Sequence, residues 1–456
     1  MPRRNLRAVL VVLAISLLCW RTSLSAKPRD EIMELYGVFV DAVEQVEANY
    51  VRSVPRKELL ESALRGMLQN LDEHSTYLNE TDWKQFQKEI GESYIGIGVS
   101  VVIDAETNRL KILAPLVGAP AYVAGAMAGD TVLEVDGQST EGWSRDKAVE
   151  ALQGRPGTSV KLTVLHPGAE KTETLAIQRA VIEQPSVLGD LRKPDDSWDF
   201  LIDKDAKIGY IRLGGFHQDT PEDFKKALTE LKAQGMKGLV IDLRNNPGGL
   251  LTAAVEMCDM FVESGRIVST KGRNTKEKVY DAEKGGLYDA PDAKPSEGLP
   301  IAILVNQYSA SAAEILSACL QDHHRAVVVG HRTYGKGSVQ NIVPLDDGDS
   351  VLKLTVATYW RPSGKNIHRF KNAKEKDEWG VSPDPGYEVN LSDTELETWL
   401  YARRDRDLIS SHNPVKPKIG KDGKPEPVKP YVDKPLDKAL EFVQAQIKGA
   451  KAEPPK

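Results

Sequence analysis

The sequence predicts an α/β protein: a mainly parallel sheet with flanking helices forms the largest part, preceded by a helical region and a separate β-rich insert. Three observations carry that prediction. From residue 208 onward, apolar strand-like runs alternate with amphipathic stretches of helical period. Between residues 94 and 180 the apolar side chains alternate with period two between Gly, Pro and Asp turns, and from 28 to about 91 they recur at helical spacing. The length of 456 residues suits two to four units of about 100–200 residues each. With 41% hydrophobic and 28% charged residues, the chain can build cores and is not disordered as a whole.

The elements follow in chain order. Arg3, Arg4 and Arg7 precede an apolar run over 8–20, and the small residues Ser23, Ser25 and Ala26 follow it, which is the layout of a secretory signal at 1–26. The run is shorter than the roughly 20 residues a spanning helix needs, so a cleaved signal is favoured over a retained anchor. Cleavage would remove four arginines and no acid, taking the net charge from −6 to −10. Such a charge disfavours a nucleic-acid partner. Three cysteines are too few for a disulfide framework or a zinc site, and Cys258 and Cys319 read as small buried hydrophobes. The helical region, 27–90, carries Ile32, Leu35, Tyr36, Phe39 and Val40, then Leu59, Leu60, Leu64, Leu68 and Leu71. The β-rich insert, 91–182, reads as strands at 98–103, 110–113, 131–135, 159–165 and 173–177, with a helix at 144–152. The α/β core with its cap segments, 183–410, reads as strands at 208–213, 238–243, 301–305 and 326–330, with helices at 221–233, 251–264 and 312–321. A Lys/Pro-rich tail with a short helix at 436–447 completes the chain over 411–456. After residue 26 no apolar stretch is long enough to cross a membrane.

Three segments carry chemistry. In YSASAAEILSACLQD (308–322) a strand enters a polar turn and then a helix, which puts Ser311 where unpaired N–H groups and the helix dipole favour a developing negative charge. Ser311 and Glu314 also make a capping box, and taken alone this segment favours the cap. In HRTYGKGSVQ (331–340) Lys336 stands between Gly335 and Gly337, with Gln340 on the same face if the segment is extended. A lysine between glycines is ordinarily a solvated turn residue. It can instead serve a serine as a base, if burial disfavours its charge, with Gln340 orienting the amine without adding an opposite charge. VIDLRNNPGG (240–249) is a strand ending in a tight turn. Alternatively, Gly248 or Gly249 presents a bare N–H that, with the N–H of Ala312, makes an oxyanion hole.

Together, YSASAAEI, TYGKGSVQ and DLRNNPGG resemble the active-site signature of the carboxy-terminal processing peptidases, or tail-specific proteases, which are Ser/Lys serine peptidases. Ser311 and Lys336 stand 25 residues apart, the family's spacing. LRGMLQNLDEHSTYL (64–78), LKLTVATYWRPSGKNIH (352–368) and WGVSPD (379–384) extend the resemblance over most of 30–400. It implies Ser311 as nucleophile, Lys336 as general base, Gln340 as the base's orienting partner, and a crotonase-like or Clp-protease-like core needing neither metal nor organic cofactor. The insert resembles a circularly permuted PDZ domain, most specifically through AYVAGAMAGDTVLEVDGQ (121–138). In its YIGIGVSV segment the N–H groups of Ile97, Gly98 and Val99 would receive a peptide's C-terminal carboxylate while the peptide adds as a strand; the lone GxG also suits a bulge or a turn. At LQGRPGT (152–158) relatives often carry a basic residue where this chain has Gln153, which moves the expected link between binding and activation to Arg155.

The implied partners are protein or peptide substrates with free C-termini, with room for an adaptor protein and for a homo-oligomer. Nucleic acid is not expected, and membrane contact would come only through an uncleaved signal segment. The expected location is periplasmic or otherwise extracytoplasmic. An alternative is a peptide-binding protein on the same fold that has lost catalysis, against which the joint presence of Ser311, Lys336 and Gln340 speaks. A PDZ-bearing trypsin-like protease would need a GNSGG-type motif, and the nearest glycine pair reads NNPGG. His323 and His324 fall about three helical turns past Ser311, roughly 18 Å at 1.5 Å per residue, too far for a triad.

Overall fold

The computed structural model describes residues 27–90, 93–104, 107–183, 185–283, 298–345, 348–408 and 431–449. The signal read at 1–26 and the Lys/Pro-rich tract up to 430 lie outside the described residues. The described residues form two compact units, one within 27–81 and 342–354 and one within 82–341 and 355–449.

In the first unit, helices α1 (Lys27–Asn49) and α2 (Arg56–Gln69) follow the helical period of the sequence, and Arg56 pairs with Glu47 at 2.5 Å. A strand the helical reading did not anticipate, β1 (Thr76–Leu78), pairs antiparallel with the start of the strand Val351–Trp360, Tyr77 opposite Leu352. Three residues are too few to show a period, and only a distant partner makes them a strand.

The second unit contains the β-rich insert and the α/β core. In the insert, β2 (Val99–Ile103), β3 (Leu110–Pro115), β4 (Thr131–Val135), β5 (Ser159–Leu165) and β6 (Glu173–Gln178) form an antiparallel sheet in the order β2-β3-β4-β5-β6. Its one-sided burial explains the legible alternation: Val160, Leu162 and Val164 point into the core, while Ser159 and Lys161 are exposed. Helix α3 (Arg145–Leu152) closes that core with Ala148 and Leu152, and Ser144 caps it by accepting the Lys147 N–H at 3.2 Å.

The core's parallel strands are β7 (Ile208–Leu213), β8 (Gly238–Asp242), β10 (Ile301–Val305) and β11 (Val327–Gly330), in that spatial order; β9 (Arg266–Lys271) belongs to another sheet. Alternate side chains face opposite layers. Ile211, Leu239, Ile241, Ile303 and Val328 pack with α4 (Thr220–Ala233), α5 (Leu251–Asp259) and α6 (Ala312–Asp322). Tyr210, Val240, Leu304 and Val329 pack with Ala439 and Val443. Burial on both faces makes these strands apolar along most of their length, with Arg212 and Asp242 near the ends of β7 and β8 as the exceptions. The helix read at 251–264 ends at Asp259; the apolar pattern runs on because Phe261 and Val262 are also buried. β12 (Ser338–Pro344) follows the lysine segment, and the end of β13 (Val351–Trp360) pairs antiparallel with β9, Thr270 opposite Tyr359.

Helix α7 (Asp393–Asp407) was not anticipated, because its buried residues, Leu396, Trp399 and Arg403, make only a thin stripe. The helix expected at 436–447 is α8 (Lys434–Ile447), and its Ala439 and Val443 complete the second core layer. Gly238 permits that approach, since a Cβ there would lie 2.2 Å from Val443 Cγ1.

Candidate active site

The turn after β8 is anchored from beneath by a buried charge cluster. Asp242 accepts the Tyr210 hydroxyl at 2.7 Å and Arg244 Nη2 at 2.6 Å; Arg244 Nη1 reaches Asp433 at 2.7 Å, and the guanidinium lies 4.4 Å over the Trp399 ring. Burial pushes the Asp242 carboxyl up, but the adjacent Arg244 and the hydrogen bonds outweigh it and hold the group below its ordinary value. A buried ion pair with every partner in place ties the β8 turn to α7 and to the start of α8.

Asparagines join this turn to the one after β10. Asn245, with φ 59°, exchanges side-chain and backbone hydrogen bonds with Asn306 at 2.6 and 2.9 Å. The Asn246 carbonyl accepts the Ala310 N–H at 2.9 Å, and Ser309 Oγ donates to the Leu243 carbonyl at 2.7 Å. Pinned in this way, the chain enters α6 through Ser311, whose φ of 56° and ψ of −116° are strained for a non-glycine residue. Such strain costs about 1–3 kcal/mol and persists only when the surroundings over-determine it. Ser311 is half-buried, whereas the residues of α6 from Ala312 to Leu320 are buried.

Glu314 is the junction of the site. Its buried carboxylate accepts the Ser311 and Lys336 N–H groups at Oε2, both at 2.8 Å, and the Gly335 N–H at 2.7 Å and Thr333 hydroxyl at 2.5 Å at Oε1. The backbone nitrogens of Ser311 and Lys336 are therefore no more than twice 2.8 Å apart. Burial pushes the Glu314 pKa up to about 7, against the four donors, which favour the ionised form. The Glu314 arm of the anticipated capping box is thus present, and the same carboxylate also holds the lysine segment. The Glu314 N–H goes to the Ser311 carbonyl at 2.9 Å, and Ser311 Oγ makes no cap hydrogen bond.

Lys336 is half-buried, and its flanking glycines are needed for close approach. A Cβ on Gly335 would lie 2.7 Å from Arg369 Cβ, and one on Gly337 would lie 2.3 Å from the His368 nitrogen. Among the described residues Lys336 Nζ forms no ion pair, and no hydrogen bond joins it to Ser311 Oγ. Gln340, expected beside the amine, donates instead to Ser338 Oγ at 2.8 Å and Thr355 Oγ1 at 3.3 Å.

The glycine pair divides into two roles. A Cβ on Gly248 would lie 2.7 Å from Ser311 Cβ and 2.9 Å from the Ala312 nitrogen, so this backbone abuts the serine. Its N–H, however, is given to Asn246 Oδ1 at 2.8 Å. Gly249 is held beside Phe216, whose carbonyl accepts the Leu250 N–H at 2.7 Å. Among the described residues the N–H groups of Gly249 and Ala312 have no partner. His323 lies away from the site, its Nε2 on the Arg266 carbonyl at 2.7 Å.

In the insert, Gly98 has φ 73°, and a Cβ there would lie 2.3 Å from that of Ala119, so glycine is required. The carbonyls of Ile97 and Gly98 accept the Ala121 and Leu116 N–H groups at 2.9 and 2.8 Å, while their own N–H groups have no partner among the described residues. Ile97, Gly98 and Val99 line a cavity of about 740 Å³. Among the described residues no cluster of His, Cys, Asp or Glu could hold a metal ion.

The roles of Thr333, Asn306 and the Asp242–Arg244–Asp433 cluster escaped the sequence reading. For the cluster the available signal was an Asp and an Arg two residues apart at the end of an apolar strand.

Comparison with known proteins places this chain in a family. The model of peptidase family S41 matches residues 207–385, and that of the PDZ domain matches 85–165. The carboxy-terminal-processing protease of Bartonella bacilliformis is 32% identical over 428 residues, covering 90% of this chain and 91% of that protein. The carboxyl-terminal-processing protease of Synechocystis sp. is 34% identical over 341 residues, covering 75% and 74%. The solved structure of a photosystem II D1 C-terminal processing protease is 29% identical, covers 77% and 86%, and superposes with a TM-score of 0.43. The chain belongs to peptidase family S41, as a C-terminal processing serine protease with a PDZ domain.

Proposed function

We propose that this chain is an exported endopeptidase with a crotonase-like or Clp-protease-like core that cleaves protein tails with a Ser311/Lys336 dyad. The observation that carries the reading is the Glu314 carboxylate, which accepts the backbone N–H groups of both residues on one oxygen. Export rests on the signal-like layout of residues 1–26.

Capture begins when a substrate's C-terminal carboxylate meets the N–H groups of Ile97, Gly98 and Val99 and its tail adds to the edge strand β2. Lys336, as general base, takes the Ser311 Oγ proton as the oxygen attacks the scissile carbonyl carbon. Ala312 and Gly249, whose N–H groups are unspent, receive the oxyanion. The Lys336 ammonium then protonates the leaving amine, and the same lysine deprotonates the water that releases the acyl-enzyme. The mechanism requires Oγ and Nζ to come within hydrogen-bond reach when a substrate binds. Gln340 would orient the amine after turning from Ser338 and Thr355. The chemistry calls on no metal or organic cofactor.

The test compares wild type, Ser311→Ala and Lys336→Ala on a loosely folded substrate with a free or an amidated C-terminus. Because the two residues act as a unit, each variant should lose cleavage by on the order of 10³-fold or more while staying folded. Substantial activity in Lys336→Ala would sink the dyad. Equal cleavage of free and amidated tails would sink capture by the PDZ domain, and a wild type without activity would favour the peptide-binding alternative.

A further inference from the structure

The cavity of about 740 Å³ has two unlike walls. One is the PDZ groove, made by Ile97 to Val101 of the loop and edge strand β2, with Val149 and Leu152 of α3 beside it. The other belongs to the core and α7. It carries Arg192, Arg212, Arg244, Arg403 and Arg404, with Asp407 the acid among its lining residues.

The pairing of these arginines is uneven. Arg244 is occupied by Asp242 and Asp433, Arg404 by Asp405, and Arg403 by Asp190 and Asp407. Arg212 shares Asp407, leaving its buried Nε without a partner. Arg192 has no ion pair among the described residues: Nη1 donates to the Asp196 carbonyl at 2.5 Å, the guanidinium lies 3.7 Å over the Trp198 ring, and Nε is buried without a partner. Burial pushes the Arg192 guanidinium below its ordinary value, with Asp407 and Asp196 only partly offsetting it. A cation on an aromatic face, partly desolvated and without a directly paired carboxylate, is suited to receive an anion.

Strand geometry indicates which part of a ligand would meet it. In a tail added to β2, successive side chains point to opposite sides. If the last side chain sits in the PDZ groove beside the carboxylate loop, the third from the end shares its side and the penultimate one points the other way, toward the rest of the cavity. We propose that Arg192 forms a specificity subsite for an acidic side chain at the penultimate position of the substrate's tail. This rests on the capture of tails by the PDZ domain proposed above, and adds a second recognised charge to the carboxylate.

Fluorescence anisotropy on full-length Ser311→Ala protein tests it, using labelled apolar-tailed peptides whose penultimate residue is Glu, Gln or Lys, each with a free or amidated C-terminus. The Glu peptide is expected to bind about tenfold more tightly than the Gln peptide, and the Lys peptide more weakly than either. The Glu advantage should shrink as salt is raised. Arg192→Gln should bring the Glu and Gln peptides within about twofold, and Arg192→Lys, which keeps the charge but loses the fork, should retain part of the preference. Free tails binding within twofold of one another whatever their penultimate residue would overturn the subsite and leave PDZ capture standing. A Glu preference surviving in folded Arg192→Gln protein would also overturn it. Equal binding of free and amidated peptides would overturn PDZ capture, and this inference with it. If Arg192→Gln does not fold, the peptide series on the parent protein and Arg192→Lys still decides.

Discussion

Replacing Glu314 by Gln keeps the side chain's size but leaves one accepting oxygen where the carboxylate has two. Four donors converge on that carboxylate, two at each oxygen. With the amide oxygen toward Ser311 and Lys336, the amide nitrogen can donate to Thr333, and the Gly335 N–H is left without an acceptor, a cost of about 1–3 kcal/mol. The clearer effect is on pH dependence. Glu314 titrates at about 7 in the folded protein against 4.5 for the free group. Between these values the folded state holds a proton that the unfolded state has released, so stability falls as pH rises through the window and levels off above about 7. At about 1.4 kcal/mol per pH unit, roughly 3 kcal/mol is lost. The glutamine variant does not titrate and lacks this slope. Urea unfolding of both proteins from pH 4.5 to 8 should therefore show wild type losing roughly 3 kcal/mol relative to Glu314→Gln. A difference constant within about 1 kcal/mol would refute a neutral, proton-holding Glu314. Glu314→Ala removes every acceptor, and because a misplacement of about 1 Å can cost 10²-fold in rate, kcat should fall at least that far. Wild-type kcat in Glu314→Ala would refute the view that this carboxylate sets the register of Ser311 and Lys336.

The remaining predictions concern the scaffold around the serine. Gly248→Ala would put a Cβ 2.7 Å from Ser311 Cβ at φ +96°; peptidase assays should show a loss of at least about 10²-fold, and near-normal activity would remove Gly248 from the site. Arg244→Met leaves the buried Asp242 and the half-buried Asp433 without their cation, which should lower stability by about 3–5 kcal/mol in urea unfolding. Gly238→Val would drive a side chain into Val443, so amide exchange across 434–447 should quicken if α8 is held by that contact.

What could be read ahead of the structure follows one-body physics. Residues 301–305 and 239–241 are apolar throughout because both faces of the sheet are covered, while 159–165 alternates because one face is wet. Gly335 and Gly337 marked the lysine segment because close backbone approach excludes a Cβ. β1 and α7 were not legible, the first being too short for a period and the second having a stripe interrupted by Arg403.

The sequence alone determined the layer type, the insert and the candidate chemistry at Ser311 and Lys336, since period, glycine placement and motif spacing are local properties. The tertiary structure alone decided that the Gly248 N–H, beside the serine, is spent on Asn246, and that Gln340 points to Ser338 and Thr355. It also decided that Glu314 serves two segments 22 residues apart. Each of these depends on which donors and acceptors meet after the β8, β10 and lysine turns converge. Hydrogen-bond partners are contested among all the groups brought within about 3 Å, and a linear chain does not say which of them arrive.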